Sequence, residues 1–162
     1  MKIKIQKLDA NACIPQKATD KAAGYDLRIP RDFHVMRGRQ IIPLGFAMQL
    51  PDWHKAVVDP RSGFSSKGME GYLSAVKGED GVTKFDDQRR FDCDVIHGLI
   101  DCDYRGQCGV IINNQDVEFW LPAGTRIAQM VITKYEDAEF EEADQLDETE
   151  RGKGGFGHTG AA

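Results

Sequence analysis

The segment GLIDCDYRG, residues 98–106, carries two carboxylates separated by a single residue. In an extended strand, Asp101 and Asp103 would share one face, because successive side chains point to opposite sides. Paired carboxylates suit a general base or a metal site. The adjacent Tyr104 offers a flat surface that could pack on a sugar. Taken alone, the segment is equally compatible with a charged hairpin edge that ends in a turn.

The chain ends in the glycine-rich segment RGKGGFGHTGAA, residues 151–162. Five of the ten residues from 151 to 160 are glycine, which loses more conformational entropy on ordering than any other residue. Arg151 and Lys153 could contact phosphate oxygens. Phe156 could stack on a planar base, an interaction worth about 1–3 kcal/mol. This composition predicts a lid that orders over a nucleotide, with a disordered tail as the alternative.

A second candidate phosphate site lies in DPRSGFSSKG, residues 59–68. Arg61, Ser62 and Gly63 follow a predicted strand and supply a guanidinium, a hydroxyl and an accessible backbone N–H. These are the groups that commonly bind phosphate. The same three residues also occur in ordinary turns, so this segment alone is weak support for a site.

Two predicted strands carry further candidate residues, although Asp26, taken alone, marks only the start of a strand. Asp26 in AAGYDL lies at a junction between a turn and a strand. Arg126 and Gln129 in GTRIAQMVI lie on an otherwise apolar strand. A glutamine in a core strand needs hydrogen-bond partners, which a ligand or a subunit interface could supply.

Short strands are predicted to position these groups. KIKIQKL alternates with period two, so Ile3 and Ile5 share one face. The other predicted strands are GYDLRIP, two strands around RGRQ in residues 32–51, HKAVVDP, a hairpin in residues 98–115 with its turn near 104–107, and two strands in residues 117–135 broken at PAGT. One helical turn is expected at most, within SSKGMEGYL. Many short strands at this spacing predict an all-β sandwich or jelly roll.

The chain divides into a β domain, residues 1–135, and an acidic linker with a lid arm, residues 136–162. Residues 136–150 are strongly acidic, which is typical of a solvated linker. Residues 64–94 are polar and weakly patterned, and a loop that long inside a compact domain is usually functional or mobile.

Composition limits the classes of function. The chain has 162 residues, 41% of them hydrophobic, which is enough for one domain with a substantial core. The apolar runs are short and the N-terminus lacks an apolar signal region, so we expect a cytoplasmic protein that does not associate with membranes. A net charge of −5 argues against direct nucleic-acid binding. The four cysteines lack zinc-site spacing and are expected to be reduced.

Together, five of these segments resemble the homotrimeric dUTP diphosphatases (dUTPases). The motifs of that family occur in order as AAGYDL, PRSGFSSKG, GLIDCDYRG, GTRIAQMVI and RGKGGFGHTG. The resemblance implies a jelly-roll subunit and a trimer whose three active sites lie between subunits. It also implies Mg²⁺ bound to the triphosphate and the reaction dUTP + water → dUMP + diphosphate. That reaction keeps uracil out of DNA and supplies dUMP for dTMP synthesis.

The resemblance assigns roles to individual residues. Asp101 resembles the base that activates the attacking water, and Tyr104 the residue that packs on deoxyribose and excludes a 2′-hydroxyl. The backbone from Gly98 to Val110 is expected to read the uracil edge in a pocket too tight for thymine. Asp26 matches an acid that lies near the metal, in contact through water.

The remaining implied residues bind the phosphate chain or close the site. Arg151 resembles the clamp on the γ-phosphate, and Phe156 resembles the stacking lid. The full set is Arg61, Ser62, Gly63, Gln129, Arg151, Phe156, Gly157, His158 and Thr159.

Three features depart from the family pattern. His158 stands where serine is usual, and an imidazole there could add a pH-sensitive contact. Val95 stands where many members have asparagine. The connection within residues 64–94 is longer than usual by roughly 20 residues. Some phage members carry an insert at this position that binds protein partners; a surface loop without a partner is the alternative.

Two other functions remain open from the sequence. A regulatory protein of the same fold could bind a nucleotide and act through the insert. A dCTP deaminase is related in fold but differs in chemistry. Asp101, Arg151 and Phe156 favour the hydrolase, because a pure binding protein does not need an acid that activates water.

Overall fold

The computed structural model describes residues 1–154, and in that range the chain forms thirteen strands and one short helix. The strands are β1 (Lys4–Lys7), β2 (Tyr25–Arg28), β3 (Phe33–Val35), β4 (Gly38–Pro43), β5 (Phe46–Gln49), β6 (His54–Asp59), β7 (Met69–Lys77), β8 (Thr83–Phe91), β9 (Cys93–Val95), β10 (Gly98–Ile100), β11 (Gly109–Asn114), β12 (Phe119–Leu121) and β13 (Arg126–Lys134). The helix α1 spans Ser62–Lys67. The all-β prediction is confirmed.

The strands form four antiparallel sheets. Their orders are β1-β5, β10-β6-β13-β2, β4-β11-β9 and β3-β12-β7-β8. Most neighbours are distant in sequence, so the sheets bring together segments from the whole chain. The sheet β10-β6-β13-β2 is the one that positions the candidate site, because it carries four of the motif segments at its strands or strand ends.

One buried cluster takes apolar side chains from all four sheets. Its largest members include Phe46, Phe91 and Phe119. The rings of Phe91 and Phe119 stack with centroids 4.1 Å apart and planes within 6°. Ile3 and Ile5 pack against the cluster from its edge, as the alternation in the first strand predicts. Burial of side chains of this size is worth about 1.5–3 kcal/mol each.

The predicted loop over residues 64–94 is wrong. The segment begins within α1 and continues as an antiparallel hairpin, β7 and β8, with its turn at residues 78–82. The strands escape a pattern search because most of their residues are exposed, and because Asp87, at φ 59°, interrupts the alternation of β8. Met69 and Phe91 are buried at the base of the hairpin and join it to the core.

The predicted hairpin over residues 98–115 is also wrong. β10 pairs with β6, whereas β11 pairs with β4 and β9, so β10 and β11 lie in different sheets. Cys93 and Val95 are buried opposite Asn114 and Ile112. Because β9 occupies that edge of β11, residues 101–108 form an open connection between the sheets.

The other strand predictions hold with small differences. Three strands form around RGRQ rather than two, because β3, β4 and β5 each pair with a different partner. The single helical turn was expected within residues 65–73 and begins slightly earlier, at Ser62. Residues 136–150 are exposed and have no regular secondary structure. The domain division at residue 135 stays a prediction.

All four cysteines are free. Burial raises the pKa of Cys93 to about 12 and that of Cys108 to about 11, so both stay protonated at neutral pH. Within residues 1–154, no helix is both long and apolar enough to cross a bilayer.

Candidate functional site

Asp26 lies between two arginines from different elements. Arg61 Nε is 3.1 Å from Asp26 Oδ1, and Arg126 Nη1 donates to Asp26 Oδ2 at 3.2 Å. The Asp26 side chain is only 13% exposed, so these contacts replace most of its hydration. The pairing of β2 with β13 brings Asp26 opposite Gln129. Two guanidiniums and one carboxylate leave an excess of one positive charge, which suits an anionic ligand.

A β-bulge in β13 lets both of its polar residues reach the same region. The register between β13 and β2 shifts between Arg126 and Ala128. In a regular strand, residues three apart face opposite sides of the sheet, but an extra residue in a bulge changes that alternation. Arg126 therefore contacts Asp26, while Gln129 lies directly opposite it.

Gln129 finds its hydrogen-bond partner within its own chain. Its Nε2 donates to the carbonyl oxygen of Pro60 at 3.0 Å. This bond joins β13 to the residue that precedes Arg61. Gly24 packs against the same amide, and a Cβ on Gly24 would lie 2.6 Å from Gln129 Oε1.

Ser62 and Gly63 begin the helix that follows β6, and both are exposed. Nothing lies within 4 Å of the position that a Cβ on Gly63 would occupy. Arg61, Ser62 and Gly63 share an open cleft of about 470 Å³ with Asp26 and Gln129. The structure therefore brings five of the residues singled out in the sequence to one surface.

The segment that contains Asp101 is a turn rather than an extended strand. β10 ends at Ile100, and Tyr104 N–H donates to the Asp101 carbonyl at 3.3 Å. Asp101 and Asp103 are both exposed on this turn, so the prediction that they share a strand face is wrong. Asp101, Asp103 and Gly106 are residue types that favour a turn over continued strand pairing.

The turn holds Tyr104 in a defined position while leaving it half-exposed. Its hydroxyl donates to the Gln107 carbonyl at 3.2 Å. Arg105 Nη1 donates to the carbonyls of Cys102, at 2.7 Å, and of Tyr104, at 2.9 Å. Gly106 packs so closely on the Tyr104 ring that no side chain fits there. A flat ring fixed at one end and open to solvent is suited to stack on a ligand.

Cys102 and Tyr135 connect this turn to the end of β13. Cys102 Sγ and Tyr135 Oη are 3.5 Å apart. The hydrogen bond with Cys102, together with partial burial, raises the pKa of Tyr135 to about 12.

The strand β6 separates Asp101 from Arg61. Ile100 pairs with Ala56, so Asp101 lies level with Lys55 at the start of the strand. Arg61 follows the other end of the strand, and Asp59 lies four residues or about 13 Å from Lys55. The cleft around Arg61 extends back along the sheet to Val131, which lies opposite Val57. Within one subunit, the predicted base and Arg61 therefore lie toward opposite ends of β6.

Two polar pairs near these residues were missed by the sequence analysis. His97 Nδ1 lies 2.8 Å from Asp59 Oδ1. This contact links the residue just before β10 to the last residue of β6. Glu70 and Arg90 pair across the hairpin at 3.2 Å, and both line the cleft. Neither pair has a local sequence signal. Each becomes visible only when the strand pairing is known.

The remaining predicted residues belong to the C-terminal segment, residues 151–162. Arg151 is exposed, and its Nε donates to the Gly154 carbonyl at 2.8 Å. Phe156, Gly157, His158 and Thr159 lie outside the described residues.

The residues present fit a metal that contacts the protein through water. Each Asp26 oxygen already contacts a guanidinium, and these two positive charges disfavour direct coordination of a cation. Each oxygen still has lone-pair capacity to accept a hydrogen bond from a metal-bound water. Among residues 1–154, no three acidic, histidine or cysteine side chains form a cluster that could hold an ion.

Comparison with known proteins places the chain in a family. The family model described as dUTPase matches residues 10–79 and 90–160. A deoxyuridine 5′-triphosphate nucleotidohydrolase of Solanum lycopersicum is 36% identical over 159 residues, which cover 97% of this chain and 80% of that protein. The corresponding protein of Rickettsia bellii (strain OSU 85-389) is 39% identical over 163 residues, covering 98% and 95%.

Solved dUTPases share the fold. A mutant dUTPase of Staphylococcus bacteriophage 80alpha with dUpNHpp superposes with a TM-score of 0.76 at 21% identity, covering 98% of both chains. A mutant dUTPase of phage phi11 of S. aureus, described with a structural Mg(II) ion, gives a TM-score of 0.71 at 18% identity, covering 90% of this chain and 99% of that one. The jelly-roll prediction is confirmed. With its full set of motifs and its match to relatives over nearly the whole length, this chain belongs to the dUTPase family.

Proposed function

We propose that this protein hydrolyses dUTP to dUMP and diphosphate, with Asp101 as the general base and the Arg61 cleft as the phosphate site. The reaction is that of the nucleotidohydrolases to which the chain is 36–39% identical. The residue roles are inferred from the geometry and from the family motifs.

The observation that carries the proposed activity is the gathering of Arg61, Ser62, Gly63, Asp26 and Gln129 at one cleft with an excess positive charge. The separation of Asp101 from Arg61 along β6 bears on how the site is assembled. A base must reach the water that it activates, within hydrogen-bond distance or through one further water. We therefore propose that the two parts of one site come from different subunits. This supports a homotrimer with sites shared between neighbouring chains, as the family resemblance implies.

In the proposed reaction, the Asp101 carboxylate takes a proton from a water that attacks the α-phosphorus. The new P–O bond forms as the bond to the diphosphate leaving group breaks. Arg61 and Arg126 provide the excess positive charge at the cleft, and Ser62 and the Gly63 N–H bind phosphate oxygens. The Gln129 bond to Pro60 fixes the backbone just before this phosphate-binding turn.

Tyr104 is proposed to select deoxyribose. Its ring is half-exposed and fixed through the hydroxyl, so it can pack on the sugar and leave no room for a 2′-hydroxyl. The backbone from Gly98 to Val110 reads uracil. A tight pocket there rejects thymine by steric exclusion of its methyl group.

Asp26 is proposed to hold the hydration shell of a Mg²⁺ ion that the triphosphate carries. When bound, Mg²⁺ neutralises phosphate charge and orients the α-phosphate. Asp26 has a second role that needs no metal, because it spaces Arg61 and Arg126.

The C-terminal arm is proposed to close the site. Arg151 clamps the γ-phosphate, Phe156 stacks on the base, and Gly157, His158 and Thr159 complete the arm. The exposed acidic segment over residues 136–150 gives the arm its reach. A protein partner that binds through residues 64–94, and a cytoplasmic location, remain predictions.

Diphosphate release from dUTP, dTTP, dCTP and UTP in the presence of Mg²⁺ tests the proposal. We expect the wild type to hydrolyse dUTP alone and Asp101→Asn to lose that activity. Asp103→Asn makes the same charge change on the same turn and is the matched comparison, with a much smaller loss expected. Binding of dUTP without hydrolysis would favour a regulatory protein, and ammonia release from dCTP would favour a deaminase.

A further inference from the structure

One face of the β7–β8 hairpin is directed at the candidate phosphate cleft. Glu70 and Tyr72 on β7 lie opposite Arg90 and Gln88 on β8, so the four side chains share this face. Glu70 and Arg90 line the cleft that contains Arg61. Glu70, Tyr72 and Gln88 line an adjoining cleft of about 250 Å³, which also includes Arg61. The hairpin is therefore a wall of the site, rather than a separate surface feature.

The opposite face fixes the hairpin to the core. A Cβ on Gly71 would lie 2.5 Å from the Phe119 ring, and Phe91 stacks on that same ring. Met69 and Phe91 are almost completely buried. Because these contacts involve well-packed aromatic side chains, they fix the backbone of the hairpin, including that of Arg90, relative to the cleft.

Arg90 has donors to offer a ligand. Its Nη2 contacts Glu70 Oε2 at 3.2 Å, and its Nη1 donates to the Gly68 carbonyl at 3.2 Å. A guanidinium carries five N–H donors, so these two contacts do not exhaust it. The two side chains are 44% and 47% exposed. A solvent-exposed ion pair of this kind is weak, and an anion with more charge than a carboxylate can displace it.

Glu70 keeps a partner when Arg90 leaves it. Gln88 Nε2 donates to the other carboxylate oxygen of Glu70. The released carboxylate would therefore remain held on the hairpin face, while Arg90 stays tethered through Gly68.

We propose that Arg90 is a further phosphate-binding residue, which exchanges its contact with Glu70 for a contact with the phosphate chain of the nucleotide. This inference rests on the proposed function of the cleft. A phosphate is the matching ligand, because the same cleft contains Arg61, a serine hydroxyl and the excess positive charge around Asp26. The family model leaves residues 80–89 unmatched, and its second matched segment begins at Arg90.

Three variants of the full chain test the proposal. Arg90→Gln removes the charge. Arg89→Gln is the matched control, because Arg89 lies on the opposite face and pairs with Asp87. Glu70→Gln removes the competing carboxylate. The measurements are the KM for dUTP and the Kd for the imido analogue dUpNHpp, with inhibition by deoxyuridine as a phosphate-free probe and thermal unfolding as the check on folding.

We expect Arg90→Gln to raise both KM and Kd about tenfold, as loss of a charge-assisted phosphate contact should. Arg89→Gln should stay within about twofold of the wild type, because a surface pair contributes little. Glu70→Gln should bind the analogue at least as tightly as the wild type, since no carboxylate competes for Arg90. Inhibition by deoxyuridine should not change in any variant.

The proposal is overturned if Arg90→Gln changes the Kd by less than about threefold, a shift no larger than surface pairs give. It is also overturned if Glu70→Gln weakens binding as much as Arg90→Gln, because the ion pair would then matter only for the shape of the hairpin. If Arg90→Gln does not fold, Arg90→Lys replaces it. Lysine keeps the positive charge but cannot bind a phosphate through two parallel N–H groups, so the Kd for dUpNHpp should rise about threefold. If the wild type binds dUpNHpp but does not hydrolyse dUTP, the proposed hydrolysis is overturned. The Kd values of the Arg90 variants would still test the phosphate contact.

Discussion

Gly24 and Gln129 are in contact so close that only a hydrogen fits between them. A Cβ on Gly24 would lie 2.6 Å from Gln129 Oε1, and the same amide donates to the Pro60 carbonyl through Nε2. The space beside Gly24 therefore determines where Gln129 can lie, and Gln129 in turn holds the backbone that leads into the phosphate-binding turn.

Gly24→Ala should displace the Gln129 amide and lower kcat/KM for dUTP. A small misplacement of a positioning group can cost roughly ten- to a hundredfold. Steady-state kinetics measure the effect. In a Gln129→Ala background the clash is largely removed, so Gly24→Ala should add little further loss. Full additivity of the two changes would contradict this explanation.

Asp26→Asn should weaken dUTP hydrolysis and the fold together. Without the carboxylate, Arg61 and Arg126 lose a charged partner and repel each other. Hydrogen bonds to charged groups contribute about 1.5–3 kcal/mol, and the partial exposure of Arg126 places the expected loss of stability near the lower value. Chemical denaturation and kinetics measure the two effects. Asp20→Asn, in an exposed turn, should change neither.

Phe91→Ala should destabilise the protein strongly even though Phe91 ends the hairpin that the sequence presents as an insert. The ring is 1% exposed and stacks on Phe119. Removal of a buried phenyl group costs about 3–5 kcal/mol. Val76→Ala is the control, since Val76 is 67% exposed in the same hairpin and should cost less than about 0.5 kcal/mol. Similar unfolding midpoints for the two variants would mean that the hairpin is not part of the core.

Alkaline pH should lower the free energy of unfolding. The folded-state pKa of Cys93 is about 12 and that of Cys108 about 11, against an ordinary value of 9.0, and the pKa of Tyr135 is raised from 10.0 to about 12. The unfolded chain therefore loses these protons first, and stability that is fully present below pH 9 falls as the pH rises towards 12. Urea denaturation from pH 8 to 11 measures this decline. Cys93→Ala should make it shallower, and a profile as steep as that of the wild type would contradict the assignment.

The sequence predicts the fold class well because its evidence is local. Ile3 and Ile5 alternate with polar residues, and glycine or proline bounds most strands, so strand existence can be inferred without knowledge of the pairing. The family motifs then relate distant segments to one another. They drew attention to Asp26, Arg61 and Gln129, which the structure brings to one cleft.

The parts that the sequence does not predict depend on which strand pairs with which. β9 displaces β10 from the edge of β11 because Cys93 and Val95 are buried there, a competition that no single segment reveals. Arg90 and Glu70 are 20 positions apart in sequence, and they meet only because the register of the hairpin places them opposite each other. A segment of exposed, charged residues is easily taken for a loop until the strand with which it pairs is known.

The position of Asp101 and of Arg61 toward opposite ends of β6 has a genetic consequence. Under the proposed shared site, a subunit that lacks one half still contributes an intact other half to its neighbour. Asp101→Asn and Arg61→Ala would each inactivate a uniform trimer. When both variants are expressed in one cell, mixed trimers would form. Some of their sites would combine an intact Asp101 from one subunit with an intact Arg61 from its neighbour. Two null alleles of one gene would then complement each other.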